Sequence, residues 1–305
     1  MAQTQVAIIG AGPAGIAAAI YLHRAGLAPI VLERGERGGL LRNANLVENY
    51  PGFVGGIGGL ELVERFSKQL DMLDIRVTKA DVETVNRSHG AFRIESDARE
   101  FSARSLIAAT GTRPQKVRLR GSRELLGSKV FNELVDMPLA HIASKRAVVI
   151  GGGDAAFDYS LNLAGRGCDV TIISRSEPKC LSLLRARAEA SGVDLVVGAV
   201  PEIVKDKIPG ALLRCRIGKG RVEYAADYIL MACGREPNIE VLSPELRKMV
   251  KNAPGIPETN VPGLFLAGDV VRGAHRQTAI AVGDGVRAAM LVDEYLRKRG
   301  GKGIR

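Results

Sequence analysis

Hydrophobic residues along the chain change their spacing in a fixed order, and that order occurs twice. The stretch QVAIIGAGPAGIAAAIYLHRAGLAPIVLERG opens with an apolar run from about Gln5 and bends at a cluster of glycines. Apolar residues at helical spacing follow over about Ala14–Ala25, and a second apolar run ends at Glu33. The stretch RAVVIGGGDAAFDYSLNLAGRGCDVTIISRS repeats strand, glycine turn, helix and strand, with Asp169–Ile173 as its last apolar run. Each predicts a βαβ unit, in which a helix crosses between parallel strands.

Each copy continues in the same way. Alternating segments IRVTKADVETV and AFRIESD lead to SLIAATGTRP, residues 105–114, and in the second copy DLVVGAVPEIV and ALLRCRIGKGRVEYA lead to DYILMACGREP, residues 227–237. The period of two predicts a three-stranded β-meander laid across each parallel sheet. A final segment, TNVPGLFLAGDVVRGAHRQTAIAVGDGVRAAMLVDEYLRKRG, has no counterpart in the second copy. It predicts a strand ending at Gly268-Asp269 and a long helix over about Gln277–Arg299. The fold class is therefore α/β, with two Rossmann-like (three-layer ββα) dinucleotide-binding domains.

The glycine spacing assigns chemistry to both turns. In Gly10-x-Gly12-x-x-Gly15 the first glycine makes the tight turn, the second lets backbone approach a pyrophosphate, and the third lets helix and strand pack closely. Pro13 and Ala14 begin the helix, whose free N–H groups and positive dipole end face the phosphates. Glu33, followed by Arg34, stands about twenty residues on, where a carboxylate accepts hydrogen bonds from an adenosine ribose. The second loop reads Gly151-x-Gly153-x-x-Ala156, with Asp154 and Ala155 opening its helix. Its slot for the acid holds Ser174-Arg175-Ser176, with Lys179 nearby. A carboxylate there repels a 2′-phosphate, whereas a guanidinium and hydroxyls bind it. The first copy suits FAD or NAD, and the second leans toward NADPH. Thr110-Gly111 and Gly234 close the two copies, with Cys233 in the slot of Thr110 reading as a small core residue. Asp269 is placed to accept a hydrogen bond from a ribityl hydroxyl. Arg276, Gln277 and Thr278 put the start of the last helix at the pyrimidine end of a flavin, where its dipole stabilises the charge of the reduced ring.

Composition narrows the setting. No apolar run reaches the roughly 18 residues that span a bilayer, and the first strand leaves no room for a signal peptide, so a cytoplasmic protein without membrane association is expected. The net charge of +10 suits attraction of an acidic protein or a phosphorylated cofactor, and equally an ordinary basic surface. No nucleic-acid-binding signature accompanies it. Cys168, Cys180, Cys215 and Cys233 form no Cys-x-x-Cys pair, and His23, His89, His141 and His275 lack metal-ligand spacing, so no metal site is expected.

Together GAGPAG, Glu33, GGLLRNANLVENYPG (38–52), LIAATG, VIGGGDAA, GREPN and GLFLAGDV…RQ…A…G resemble the low-molecular-weight thioredoxin reductase family of flavoproteins over nearly the whole chain. The resemblance implies a discontinuous FAD domain, residues 1–114 and 241–305, with an NAD(P)H domain, 115–240, inserted near the prolines Pro114 and Pro237. It also implies FAD contacts from Gly39, Leu40, Asn49 and the backbone near Val82, and a homodimer built on the FAD domains. In that family a redox-active Cys-x-x-Cys lies just before the second glycine loop. Counting back from Gly151 puts it at Leu134 and Met137, or with a one-residue slip at Glu133 and Asp136, and no cysteine occurs between Met1 and Gly167. Without a thiolate there is no mixed-disulfide intermediate. Of the family's arginines for NADPH only Arg175 is kept, which weakens the case for NADPH over its alternative NADH without favouring NADH, because no acid replaces the lost charge at 174–176.

The function expected is a dithiol-free FAD-dependent NAD(P)H oxidoreductase serving a separate acceptor, with chemistry done by the cofactors. RPQKVRLRGSRELLGSK (113–129), with six Lys/Arg against one Glu, points to an acidic electron-transfer protein such as a ferredoxin or flavodoxin. A small acceptor (quinone, oxygen or a disulfide) is the first alternative. A flavin-binding sensor or scaffold with a vestigial nicotinamide site is the second. His275 is a candidate proton relay or a structural histidine.

Overall fold

The first strand shows why this chain must be layered. Val6 and Ile8 face one side of it and Ala7 and Ile9 the other, and all four are buried, so it needs cover on both faces. The computed structural model describes residues 2–117, 119–251 and 254–299. In chain order come β1 (Ala2–Ile9), α1 (Pro13–Arg24), β2 (Ile30–Glu33), α2 (Gly59–Met72), β3 (Val77–Lys79), β4 (Val82–Ser88), β5 (Ala91–Ser96), β6 (Glu100–Ala108) and β7 (Thr112–Pro114). Then follow β8 (Val130–Phe131), β9 (Arg146–Ile150), α3 (Asp154–Gly165), β10 (Asp169–Ser174), α4 (Ser182–Ala190), β11 (Asp194–Val197), β12 (Ala199–Asp206), β13 (Ala211–Ile217), β14 (Gly220–Ala226), β15 (Tyr228–Met231) and β16 (Arg235–Pro237). The chain closes with α5 (Pro244–Met249), β17 (Leu264–Leu266) and α6 (Thr278–Arg299).

Two compact units result: Met1–Arg42 with Glu48–Arg113 and Glu236–Arg305, and Asn43–Val47 with Pro114–Arg235. The first unit holds a sheet in the order β3-β2-β1-β6-β5-β4, with β17 also beside β6. One edge of β6 runs parallel to β1 along its length. Its other edge is shared, with β5 antiparallel at Glu100–Ala103 and β17 parallel at Leu106–Ala108. The meander expected to lie across this sheet is therefore part of it, because one long strand serves both pairings. IRVTKADVETV is also two strands, not one: β3 joins the parallel edge and β4 pairs with β5. α1 and α6 cover one face, where Leu22, Ala288, Ala289 and Val292 pack with Val6 and Ile8. They touch through backbone, since a Cβ on Gly285 would overlap the Ala14 carbonyl oxygen.

The second unit has a parallel sheet in the order β11-β10-β9-β15-β8 and a separate meander, β12-β13-β14. Here DLVVGAVPEIV breaks at Gly198 into β11 and β12. VFNELVDMP begins as the edge strand β8 and continues into a 3₁₀ turn, Leu134–Asp136. Residues 43–47, which the sequence reading leaves in the first domain, pack with this second unit. Asn43 Nδ2 donates to Glu133 Oε2 at 2.9 Å, the Val135 N–H donates to Asn43 Oδ1 at 3.0 Å, and the Asn45 N–H donates to Asp158 Oδ2 at 2.8 Å. Among the described residues no helix is long and apolar enough to cross a membrane, and no three metal-ligating side chains come together.

The α1–α6 contact makes a stability prediction. Gly285→Val forces two backbones apart and is expected to destabilise the protein by about 1–3 kcal/mol. The unfolding midpoint of the flavin-free protein should fall by several degrees. Met290→Ala, at an exposed position of α6, should stay within about 0.5 kcal/mol of the parent. Equal midpoints for the two variants would contradict the packing described.

Candidate functional site

In the first unit, β1 delivers the chain into Gly10, whose φ of 102° belongs to glycine and whose missing Cβ leaves room for the Ala109 carbonyl. A Cβ on Gly15 would overlap the Gly10 carbonyl oxygen, so the helix start sits against the strand end. Gly12 differs, since the nearest atom to its missing Cβ is the Gly39 Cα at 4.0 Å. The space above Gly12 is open, and a side chain there would fill it. Glu33 fastens the loop: its Oε2 accepts the Ala11 N–H at 2.7 Å and its Oε1 the Gly35 N–H at 2.9 Å. Each oxygen keeps a lone pair for a hydroxyl. The sequence assigns Glu33 to a ribose alone, and the structure adds this loop-holding role. Arg34 lies exposed beside it.

The other candidates gather around that loop. The Gly38 N–H donates to the Ala11 carbonyl at 2.8 Å, which sets Gly39 and Leu40 against Gly12. A Cβ on Gly268 would lie 2.8 Å from the Ala14 Cβ, so Gly268-Asp269 also stands at the helix start. Asn49 Nδ2 donates to Gln277 Oε1 at 2.8 Å, joining the 38–52 segment to the start of α6 at Thr278. Arg276 Nε donates to the Arg272 carbonyl at 3.2 Å, and His275 is exposed. The Thr110 hydroxyl donates to the Asn238 carbonyl at 2.5 Å, and the Asn238 N–H donates to the Gly111 carbonyl at 3.0 Å. Thr110 and Gly111 thus shape a turn with Asn238, the last residue of the GREPN motif. Val82 is buried at the start of β4.

In the second unit, Gly151 makes the turn under the Ala232 carbonyl, and nothing lies within 4 Å of the missing Cβ of Gly153. Gly153, Asp154 and Ala155 are exposed while Ala156 is buried, so the first turn of α3 opens outward. Asp154 Oδ1 accepts the Leu181 N–H at 2.8 Å, and the Lys179 N–H donates to the Gly152 carbonyl at 2.7 Å, which folds the 174–181 loop onto the glycines. Ser174 corrects the sequence reading. It is buried beneath Gly152 and its hydroxyl donates to the Ser176 carbonyl at 2.6 Å, so that proton is not available to an anion. Arg175, Ser176 and Lys179 are exposed around it. Gly234, with φ of 99°, abuts Gln115. The open space over Gly12 and over Gly153, each beside a helix N-terminus, fits one dinucleotide pyrophosphate per unit.

The segment ahead of the second loop is core. Leu134 is 1% exposed and Met137 5%, and both pack with Phe131, Ile142 and Phe157. Beside them Glu133 Oε1 accepts from Arg235 Nη1 at 2.6 Å, and burial outweighs that pairing to hold its carboxyl above the usual range. Burial likewise raises Asp158. None of the four thiols is disulfide-bonded. Burial pushes Cys215 and Cys233 up to about 11 and raises Cys168 and Cys180, the opposite of an activated thiolate. Cys168 and Cys233 donate to the carbonyls of Ile142 and Ile150 at 3.1 and 3.4 Å.

Comparison with known proteins agrees with this geometry. Residues 4–285 match the family model described as pyridine nucleotide-disulphide oxidoreductase. A thioredoxin reductase of Bacillus subtilis (strain 168) is 32% identical, over 96% of this chain and 95% of its own. The thioredoxin reductase of Lactococcus lactis, solved in its FR conformation, superposes with a TM-score of 0.87 at 30% identity, covering 97% of this chain and 99% of that one. That of T. acidophilum gives 0.86 at 26% identity, over 96% and 99%. With two dinucleotide folds in this order and a family match over most of its length, the chain belongs to the pyridine nucleotide-disulphide oxidoreductase family, as an FAD-dependent NAD(P)H oxidoreductase of thioredoxin reductase-like fold.

Proposed function

We propose that this protein exchanges electrons between a nicotinamide dinucleotide and FAD with no disulfide of its own, and passes them to a separate acceptor. One observation supports the reading: no cysteine precedes Cys168, so neither pair that the resemblance matches to the family's cysteines, Leu134 and Met137 or Glu133 and Asp136, holds sulfur that can form a disulfide. In this reading Gly12 and the start of α1 hold the FAD pyrophosphate, Glu33 its ribose, Asp269 the ribityl chain, and Gln277 and Thr278 the pyrimidine end. Gly153 and α3 hold the second pyrophosphate, with Arg175, Ser176 and Lys179 on a 2′-phosphate. Ser174 shapes that turn from beneath. When bound, the two cofactors supply hydride transfer, and the protein supplies position and electrostatics. No side chain is assigned as catalytic acid, and exposed His275 is left without a role.

The acceptor we propose is an acidic electron-transfer protein of the ferredoxin or flavodoxin kind. Its support is narrower than the sequence suggests. Arg113 pairs with Glu236 and Glu240, Lys129 with Asp206, and Arg118 lies outside the described residues. Lys116, Arg120 and Arg123 are the exposed cations of the segment, with Glu124 beside them. The same reading takes the protein to be a cytoplasmic homodimer.

Three outcomes test it. NADPH added without oxygen should bleach the flavin, and prior alkylation of all accessible thiols should leave that reaction and steady turnover unchanged. Loss of turnover on alkylation defeats the disulfide-free route. Flavin that stays oxidised with both NADPH and NADH favours a sensor or scaffold. Arg175→Gln should weaken NADPH binding about tenfold and leave NADH binding nearly unchanged, and equal effects on both would remove Arg175 from the 2′-phosphate. Reduction of an acidic carrier should slow as ionic strength rises, whereas salt-insensitive reduction, or turnover with a quinone or oxygen alone, points to a small acceptor.

A further inference from the structure

Asp284 lies in α6, only 4% exposed, on the face of the helix that carries Ala281, Ala288 and Gly285. Arg272 reaches it from the loop between the 3₁₀ turn Gly268–Val271 and the helix. Its Nε donates to Oδ2 at 2.9 Å and its Nη2 donates to Oδ1. A fork matched to a carboxylate fixes the plane of the guanidinium as well as its position, which a one-point ammonium contact does not. The loop is tied again on either side. A Cβ on Gly255 would overlap the guanidinium, the Gly255 N–H donates to the Val271 carbonyl at 3.0 Å, and Arg276 Nε donates to the Arg272 carbonyl. Removing two charges from water is a poor source of net stability. What this pair supplies is position.

We propose that Arg272 and Asp284 are positioning residues for the flavin, their forked ion pair setting residues 272–278 so that Arg276, Gln277 and the first turn of α6 meet the pyrimidine end at a fixed place. The inference rests on the reading of Gln277 and its neighbours as that end of the site. The positive end of the helix and the Arg276 cation favour the reduced, negatively charged ring over the neutral oxidised one. Loosening the loop therefore weakens binding of reduced flavin more than of oxidised flavin.

The test uses the full-length protein loaded with FAD, in parent form and as Asp284→Asn, Arg272→Lys and Gln277→Ala. Dissociation of oxidised FAD and the two-electron midpoint potential are measured for each. Asp284→Asn should weaken oxidised FAD about threefold to tenfold. It should also change the reduced-to-oxidised affinity ratio about tenfold, a fall of about 30 mV in potential. Arg272→Lys should move both quantities the same way, because an ammonium lacks the rigid planar fork that fixes the loop's orientation. If Asp284→Asn does not fold, Arg272→Lys decides alone. Parental affinity and potential in the folded variants, with Gln277→Ala still perturbing the flavin, overturns the positioning role and leaves the flavin site in place. No change in any of the three, Gln277→Ala included, removes that end of the site and the proposal together.

Discussion

Backbone pressed against backbone at the first glycine loop is the constraint on which the first unit is built. The Gly10 carbonyl fills the place of a Gly15 side chain, the Ala14 carbonyl fills that of Gly285, and Gly268 stands against Ala14. Three segments distant in sequence are held at separations no side chain could share. The helix start that results carries amides without intrahelical partners, facing open space over Gly12. Shape and electrostatics of a dinucleotide site thus follow from packing before any ligand contributes. The second loop uses the same device more loosely, with Ala156 in the place of the third glycine.

Features dictated by local backbone were legible in the sequence. Glycine at Gly10 and Gly12, the acid at Glu33, the two βαβ units and the break before the last helix all announce themselves within a few residues. What depended on distant partners was not. Nothing near residue 100 says that β6 will lend its outer edge first to β5 and then to β17. Ser174 looked like an anion ligand because hydroxyl chemistry is visible in a sequence, whereas the direction of its O–H is decided by the Ser176 carbonyl. Glu33 gained a second duty for the same reason. A signal for Arg272 did exist: Asp284 is a lone carboxylate among the small residues of a buried helical face, and such a group requires a cation.

On the proposed reading, the inserted unit gives a redox position a structural role. Leu134 and Met137 contribute apolar surface to the core of this unit, packed with Phe131 and Phe157. The four thiols are dispersed, Cys215 buried and the other three half-buried, with burial disfavouring the thiolate at each site. On the reading proposed above, exchange takes place directly at the cofactors, which puts the demand for specificity on whatever approaches the ring.

The excursion of residues 43–47 bears on how such proteins can be recombined. Glu133 takes one of its donors from Asn43 and Asp158 one from Asn45, far upstream of the segment that encodes the rest of their unit. A gene fragment running from Pro114 to Arg235 would leave Asp158 without its Asn45 donor and Glu133 with Arg235 but without Asn43. The second unit is thus encoded in two pieces, and a graft of it onto a foreign partner keeps these carboxylates fully bonded when the asparagine-bearing pentapeptide travels with it.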